Sequence, residues 1–347
     1  MAVARFGVAD GSSPLAGSIL RLAQQGKELT VPGLRSLSPL SDKAQVLVDK
    51  AVVDVGLERL TFVADLLAEG LRFSLPDPLS ITQLEWDQES KVGGARRTML
   101  PSSRGENALL DRKHLRLPIY CTIGDFSMNV RLLKMSERVG QPLDVSMVKQ
   151  ETRRVNESIE DAAIFGGTTL DGQGLVDSSY TVPGLLTPPG TANTIANSVD
   201  WTAPNVIGTT GPAMVADILA GVTKLNAALK FGPFNLYLST NAGVTIQGQF
   251  VQYHPGTIQS MLEGLQFGGR NLRVRVADRM PNAASGQQWA LVQMTDDVVE
   301  IVDGQAPTVV PYTSLDGWTL YWMVLGIMIP RIRADYNGNS GICIGSK

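Results

Sequence analysis

The side chains that most often bind metals or attack substrates are scarce in this sequence. It contains two histidines, His114 and His254, and two cysteines, Cys121 and Cys343, among 347 residues. Neither histidine has a histidine, cysteine or carboxylate partner at the spacing that zinc sites show, so the sequence predicts no metal site. The cysteines lie far apart and form no CxxC pair, which favours two reduced, buried residues.

Motifs for covalent or phosphate chemistry are also missing. The sequence has no GxSxG nucleophile elbow and no GxxxxGK phosphate loop. The Gly-Gln-Gly segment at 172–174 follows no predicted strand and opens no predicted helix, which is not the context of a dinucleotide loop. His114, beside Lys113 and near Arg116, is expected to be an ordinary polar loop residue. We therefore predict no catalytic, cofactor-binding or metal-binding residue, and no enzyme.

Two pairs of adjacent carboxylates, Glu160-Asp161 and Asp296-Asp297, could in principle supply an acid and a base. Neighbouring residues point in different directions on a helix and to opposite faces on a strand, so the two members of a pair do not converge. Acidic side chains are seldom buried without a partner. Solvated surface charge is therefore the expectation for all four residues.

The overall charge argues against a protein that binds nucleic acid tightly. Thirty Lys and Arg residues stand against 33 Asp and Glu residues, which gives a net charge of −3. Tight phosphate binding normally needs a basic excess. The composition, 44% hydrophobic and 18% charged, fits an ordered globular protein whose copies cover part of one another's surface. No signal peptide is predicted, and the longest apolar run, 320–329, is about half of a membrane span.

A long segment between about 78 and 117 combines basic side chains with a lack of apolar periodicity. Seven basic residues and two acidic ones lie between Lys91 and Arg116. Gly93-Gly94 could form the tip of a long hairpin. Some forty residues without a core of their own indicate a segment that binds a partner.

The elements around this segment predict a mixed α+β fold. The clearest helix spans 143–165, with Val148, Val155 and Ile159 on its apolar face. A second amphipathic helix opens at Pro212, and residues 166–211 read as a long ordered connection. The remaining predictions are helical stretches at 41–55, 60–67 and 257–265 and strands at 234–238, 272–277, 289–294, 298–302, 320–329 and 342–344.

Several local motifs follow one another in an order that resembles the Hong Kong 97 capsid fold of tailed-phage capsid proteins and encapsulin nanocompartments. They are EDAAIFGG at 160–167, PGLL at 183–186, GPFNLYLS at 232–239, DVVEIVDGQ at 297–305 and the apolar strand at 320–330. Together they cover roughly 60–345. The short cargo-binding helix with which encapsulins usually begin has no counterpart pattern here, and the long basic loop is more typical of phages.

The resemblance implies four parts of the subunit. They are an N-terminal arm at 1–45, an extended loop at 78–115, a peripheral domain at 46–77, 116–189 and 293–330, and an axial domain at 190–292 and 331–347. The helix at about 143–165 would be the spine helix of the peripheral domain. Axial domains would meet at the centre of pentamers and hexamers.

By the same resemblance, the chain is expected to be a structural major capsid protein that self-assembles into an icosahedral shell around double-stranded DNA. The expected contacts between subunits join Lys91, Arg96, Arg97 and Arg104 of the extended loop to Glu157, Glu160 and Asp161 of a neighbour's spine helix. The DNA would be held by weak, non-specific contact. Portal, scaffolding and decoration proteins are further expected partners, with no cofactor and no membrane, in a virion assembled in the host cytoplasm.

Two alternatives stay open. An encapsulin-type nanocompartment, whose shell encloses a cargo enzyme, would use the same fold. A soluble α+β enzyme without a recognisable motif belongs to another class. Particle formation by the purified protein alone separates the two shells from the enzyme, and the neighbouring genes separate one shell from the other.

Overall fold

The computed structural model describes most of the chain from residue 50 onward. The described residues are 50–52, 60–90, 99, 110–131, 135, 146–167, 181–252, 255–282, 286–313 and 318–347. Helices and strands alternate irregularly along them, which confirms the predicted α+β class. None of the described helices is long and apolar enough to cross a membrane.

The helices and strands have the following bounds. The helices are α1 (Phe62–Ala68), α2 (Ser146–Phe165), α3 (Thr210–Ala227), α4 (Thr240–Thr245) and α5 (Ile258–Glu263). The first strands are β1 (Arg72–Ser74), β2 (Gln83–Glu89), β3 (Arg112–Pro118), β4 (Thr122–Asn129), β5 (Thr191–Ala196) and β6 (Phe234–Leu238). The others are β7 (Gln266–Phe267), β8 (Arg270–Asn271), β9 (Arg273–Val276), β10 (Gln287–Gln293), β11 (Val299–Thr313), β12 (Thr319–Ile332) and β13 (Asn339–Ser346).

Two larger sheets organise these strands. The first sheet has the order β1-β11-β12-β4, and the second has the order β5-β13-β10-β6-β9. Strands β11 and β12 form a long antiparallel hairpin that begins with Val299 opposite Ile332. In the second sheet β13 pairs antiparallel with β10 and parallel with β5. The short segment between β12 and β13 therefore joins the two sheets.

Helix α2 lies across the first sheet because two glycines let it approach closely. A Cβ atom at Gly326 of β12 would lie 3.1 Å from Cδ1 of Ile159, and one at Gly124 of β4 would lie 3.0 Å from Cγ2 of Val155. Both helix residues are buried. Since protein interiors are close-packed, a larger side chain at either glycine would push the helix away from the sheet.

Helix α3 covers one face of the second sheet and brings a buried carboxylate with it. Asp217 of α3 accepts a hydrogen bond from Nε1 of Trp201 at 3.1 Å. The Trp201 ring packs against Trp289 of β10, with 5.5 Å between ring centres. All three residues are buried, and Asp217 supplies the acceptor that the buried indole N–H of Trp201 needs.

Strands β2 and β3 form a separate two-stranded hairpin. They pair from Gln83 opposite Pro118 to Glu89 opposite Arg112. At the usual rise, seven residues span about 24 Å, so the hairpin is a substantial projection. Its predicted glycine tip at 93–94 lies outside the described residues.

Most predicted elements are confirmed, with shifted bounds. The long helix is confirmed as α2, although its described part begins at Ser146. The second helix begins at Thr210, two residues before Pro212. The predicted strands correspond to β6 and β9–β13. The prediction of a connection over 166–211 missed β5, which is formed by pairing with the distant β13.

The expectations for one cysteine and one histidine are wrong. Cys121 is exposed between β3 and β4, whereas Cys343 is buried as predicted. His114 lies on strand β3 and not in a loop, because its backbone pairs with Asp87 of β2.

Candidate assembly surfaces

One face of the β2–β3 hairpin carries a row of paired charges, hereafter the charge ladder. The pairs are Glu85 with Arg116 at 3.0 Å, Asp87 with His114 at 2.8 Å and Glu89 with Arg112 at 2.9 Å. Each pair joins residues that are directly opposite in the two strands. All six side chains are roughly half exposed. Exposed pairs of this kind contribute less than about 1 kcal/mol each.

His114 stands in the middle of the ladder and contacts two carboxylates. Its Nδ1 lies 2.8 Å from Oδ1 of Asp87, and its Nε2 lies 3.2 Å from Oε2 of Glu85. The hydrogen bond with Asp87, followed by the one with Glu85, raises the pKa of His114 above its usual 6.5. The charged histidine is therefore favoured, and in that state three basic groups balance three acidic ones.

The other face of the hairpin contacts a buried ionic cluster at the end of β12. Arg331 is only 5% exposed and donates through Nε to Oε1 of Glu300 at 3.0 Å. Arg333 contacts the same carboxylate oxygen. Burial lowers the pKa of Arg331, because the charged guanidinium is removed from water. Buried charges persist where they are paired, so Glu300 holds both arginines in place.

Glu160 of α2 is fully buried, which makes the expectation of surface charge wrong for this residue. Its carboxylate accepts hydrogen bonds from the backbone N–H groups of Phe62 at 2.7 Å and Val63 at 3.2 Å. These groups lie at the N-terminus of α1, where backbone donors lack partners inside the helix. Burial raises the pKa of Glu160 to about 7, and the backbone hydrogen bonds oppose this rise. Glu160 is therefore a contact within the subunit and not one with a neighbour.

Asp161 and Glu157 lie nearer the surface of α2. Oδ1 of Asp161 accepts a hydrogen bond from Nε of Arg279 at 2.6 Å, and the Asp161 side chain is 34% exposed. The hydrogen bond with Asp161 raises the pKa of Arg279, and the charge of Glu157 adds to this effect. One cation of the same chain thus already occupies this end of the helix.

A second ionic contact joins α1 and the residue after it to β8 and to β9, the edge strand of the second sheet. Glu69 accepts two hydrogen bonds from Arg270, each at 2.8 Å, and Arg273 contacts the same carboxylate. Asp65 lies 3.5 Å from Arg275. The hydrogen bond with Arg270 lowers the pKa of Glu69. Sequence reasoning missed this contact, although the alternating arginines of β9 were a local signal for a charged strand face.

Five of the residues singled out in the sequence lie outside the described residues. They are Lys91, Arg96, Arg97, Arg104 and His254. The contacts expected of the four loop residues therefore stay predictions. Within the described part of the chain, no group of three or more His, Cys, Asp or Glu side chains is placed to hold a metal ion.

Comparison with known proteins gives a likeness of structure without a likeness of sequence. No protein-family model and no curated protein sequence matches the chain. The capsid of Myoviridae phage XM1 matches with a TM-score of 0.61 at 10% identity, over 93% of this chain and 98% of that one. The virus-like particle from Pyrococcus furiosus matches with a TM-score of 0.55 at 14% identity, over 88% and 99% of the two chains.

The capsid of the native GTA particle is a third similar structure, with a TM-score of 0.55 at 12% identity over 84% of this chain and 89% of that one. The three matches cover 84% to 93% of this chain and 89% to 99% of the matched chains. At such low identities the likeness establishes the fold. The chain therefore has the Hong Kong 97-like capsid fold that its sequence motifs predicted.

Proposed function

We propose that this chain is the major capsid protein of a tailed bacteriophage, whose copies join as pentamers and hexamers into an icosahedral shell around double-stranded DNA. The observation that carries the proposal is the match to the phage XM1 capsid over 93% of this chain and 98% of that one. A match from end to end means that the whole subunit is shared and not one common module. The proposed role is structural and involves no chemical step.

The charge of the chain supports the proposed contact with DNA. At a net charge of −3, the subunit lacks the basic excess that holds phosphates tightly. Weak, non-specific contact suits a container whose nucleic acid must enter and leave. The virion location, assembly in the host cytoplasm, and portal, scaffolding and decoration proteins as partners belong to the same proposal.

The division into domains is proposed on the same grounds. The peripheral domain would comprise 46–77, 116–189 and 293–330, and the axial domain 190–292 and 331–347. The two sheets support this division, because the first sheet draws its strands almost entirely from the peripheral ranges and the second from the axial ones. The extended loop at 78–115 would include the β2–β3 hairpin.

The proposed contact between subunits joins the extended loop to a neighbour's spine helix. Lys91, Arg96, Arg97 and Arg104 would supply the cations, and Glu157 and Asp161 of α2 would supply the carboxylates. The partial exposure of both carboxylates supports this arrangement. Asp161 already holds Arg279, so an arriving arginine would share that carboxylate.

Negative-stain electron microscopy of the purified protein, expressed without any other phage protein, tests the proposal. Closed shells, or rings of five and six subunits, are the expected result. A monomer that stays monomeric with crowding agents and added scaffolding protein would contradict it. The contents of the shells decide between the two kinds of container, since packaged nucleic acid supports the capsid and an enclosed enzyme supports the nanocompartment.

Charge reversal tests the contact between subunits. Arg97→Glu should lower the yield of particles, and adding Glu157→Arg should restore it, because the reversed pair can form again between neighbours. Arg112→Glu is the matched control, since Arg112 pairs with Glu89 of its own hairpin. Equal losses for Arg97→Glu and Arg112→Glu, without rescue, would remove this contact from the proposal.

A further inference from the structure

We propose that Arg331 and Tyr336 are positioning residues that fix the direction in which the β2–β3 hairpin leaves the subunit. The inference deepens the proposed function and rests on it in one respect, because the hairpin is taken to carry the extended loop toward a neighbouring copy. Three contacts along the inner face of the hairpin support it. All three end in the segment 331–336, which comprises the last two residues of β12 and the start of its connection to β13.

The first contact lies at the middle of the hairpin. The guanidinium carbon of Arg331 lies 4.5 Å from the centre of the Phe73 ring and 5.6 Å from the centre of the Trp86 ring. Both distances fall within the range of cation–π interactions. Phe73 belongs to β1 of the first sheet and Trp86 to β2 of the hairpin. The same guanidinium therefore connects the hairpin to the body of the subunit.

Arg331 cannot follow the hairpin if the hairpin moves. It is buried, and Glu300 on the neighbouring strand β11 accepts a hydrogen bond from its Nε at 3.0 Å. Glu300 and Arg331 are directly opposite in the β11–β12 pair. The ring of Trp86 thus packs on a cation whose position is set by the first sheet.

The other two contacts lie farther along the hairpin. The side-chain amide of Gln88 donates to the backbone carbonyl of Ala334. Nζ of Lys113 donates to the backbone carbonyl of Tyr336 at 3.0 Å and lies 4.1 Å from the centre of its ring. The Tyr336 hydroxyl in turn donates to the carboxylate of Asp111. Gln88 and Lys113 are directly opposite in the two strands, so the hairpin is attached at its middle, through Trp86, and toward its far end, through this pair.

The two faces of the hairpin differ in where their polar groups find partners. Arg112 and Lys113 are neighbours on β3, so their side chains point to opposite faces. Arg112 pairs with Glu89 inside the charge ladder, whereas Lys113 leaves the hairpin to reach Tyr336. The three ladder pairs join the two strands to each other. The contacts of the inner face join the hairpin to the body of the subunit and so set the angle between them.

The contacts with 331–336 tie this angle to the junction of the two sheets, because the segment begins in β12 of the first sheet and leads to β13 of the second. A hairpin about 24 Å long acts as a lever, and a rotation of about 10° at its root would move its far end by about 4 Å. A displacement of this size is longer than a hydrogen bond. The contacts that the extended loop would make with a neighbouring copy therefore depend on the contacts that hold the hairpin against residues 331–336.

Distance measurement between two spin labels tests the inference. One label is attached through Leu110→Cys at the exposed far end of the hairpin and the other through Lys149→Cys on the exposed side of α2. Cys121→Ser removes the exposed native cysteine. Cys343 stays unlabelled, because it is buried and burial raises the pKa of its thiol to about 12. Labelled protein is diluted into unlabelled protein, so that only distances within one subunit are recorded.

The expected result is a single narrow distance distribution for the otherwise unaltered protein. Lys113→Met and Tyr336→Leu should each broaden it about two-fold, since local constraints on the hairpin are lost. Lys113→Arg should leave the distribution narrow, because a cation is kept over the Tyr336 ring. Arg112→Met, on the opposite face, is the matched control and should leave the distribution unchanged. Unchanged distributions for both Lys113→Met and Tyr336→Leu would overturn the inference.

The measurement also separates this inference from the proposed function. It needs no assembled shell, so a narrow distribution that broadens in the two variants supports the anchor even if the protein forms no particles. If particles form but the distance distributions do not respond to the variants, the proposed function stands and the proposed positioning role of segment 331–336 does not.

Discussion

The charge ladder of the hairpin and the carboxylate of Glu160 use charge in opposite ways. The ladder spreads six half-exposed groups over three pairs, and water can replace either partner of each pair. Glu160 places one carboxylate in a buried site, where it accepts hydrogen bonds from two backbone N–H groups. A ladder pair should therefore be dispensable for stability, whereas Glu160 should not.

This difference in importance for stability arises because the two kinds of contact join segments at different distances along the chain. The ladder joins strands of one hairpin, which their backbone hydrogen bonds already pair. Glu160 joins α2 to the start of α1, 98 residues earlier. A buried polar group that connects distant segments cannot be replaced by water, so its removal affects the position of a whole helix.

The largest expected effect is that of Glu160→Ala. Two buried N–H groups lose their acceptor, and each unpaired group costs roughly 1–3 kcal/mol, so the free energy of unfolding should fall by about 3 kcal/mol. Urea denaturation of the unassembled subunit at pH 6 measures this. Glu157→Ala, on the partly exposed side of the same helix, is the control and should cost less than about 1 kcal/mol. Similar losses of unfolding free energy in the two variants would show that the buried carboxylate contributes no more to stability than the partly exposed one.

The second effect is on the pH dependence of the free energy of unfolding, where Glu160 has the opposite sign to most carboxylates. Burial raises the pKa of Glu160 from 4.5 to about 7, so the folded state binds a proton that the unfolded state has released. The stabilisation from this group is therefore present at low pH and is lost as the pH rises through about 7. At roughly 1.4 kcal/mol per pKa unit, it amounts to at most about 3.5 kcal/mol.

Glu160→Gln isolates this effect, because it keeps a similar shape and a carbonyl acceptor but cannot titrate. Between pH 5 and pH 8, the free energy of unfolding of the unaltered protein should fall relative to that of Glu160→Gln. A difference that is constant across this range would show that Glu160 has an ordinary pKa in the folded state.

A smaller effect is expected from the ladder itself. Arg116→Met removes one of the two basic partners of Glu85 and replaces the arginine with an uncharged side chain, so the loss should be below about 1 kcal/mol. Because the pair is exposed, the effect should largely disappear in 1 M salt, where the Debye length is about 3 Å. Urea denaturation at low and high salt measures both values. A loss above about 2 kcal/mol would mean that the ladder supports the fold and not only the pairing of two strands.

The elements that the sequence predicted well are those whose signal is local. Helix α2 shows its apolar stripe at 148, 155 and 159, and β12 is a nearly continuous apolar run. Strand β5 was missed because Thr191–Ala196 has no apolar period, and its pairing with β13 depends on residues about 150 positions later. Local pattern cannot reveal a strand whose stability comes from a distant partner.

Glu160 was misread for a related reason. Thr152, Asn156 and Glu160 follow one another at steps of four and are all buried, so they form the polar edge of the packed face of α2. The charge of Glu160 suggested solvent, although its spacing from Thr152 and Asn156 places it toward the core. Only the N-terminus of α1 explains why a carboxylate is tolerated there. The contacts of Arg331 and Tyr336 with the hairpin were likewise invisible, because they join segments more than 200 residues apart.

The smallest effect concerns His114, which lies at the surface and is best detected by titration. Its contact with Asp87 raises the pKa above 6.5, so the stabilisation from the charged ring is present below 6.5 and is lost as the pH rises through the raised pKa. With only two histidines in the chain, NMR of histidine-labelled subunit resolves the titration, and His254→Gln assigns it. Asp87→Asn should lower the pKa more than Glu85→Gln, since Asp87 makes the shorter contact. A His114 pKa at or below 6.5 that neither variant changes would show that His114 pairs with neither carboxylate in solution. The comparison between the exposed charge ladder and buried Glu160 would then rest on the two arginine pairs alone.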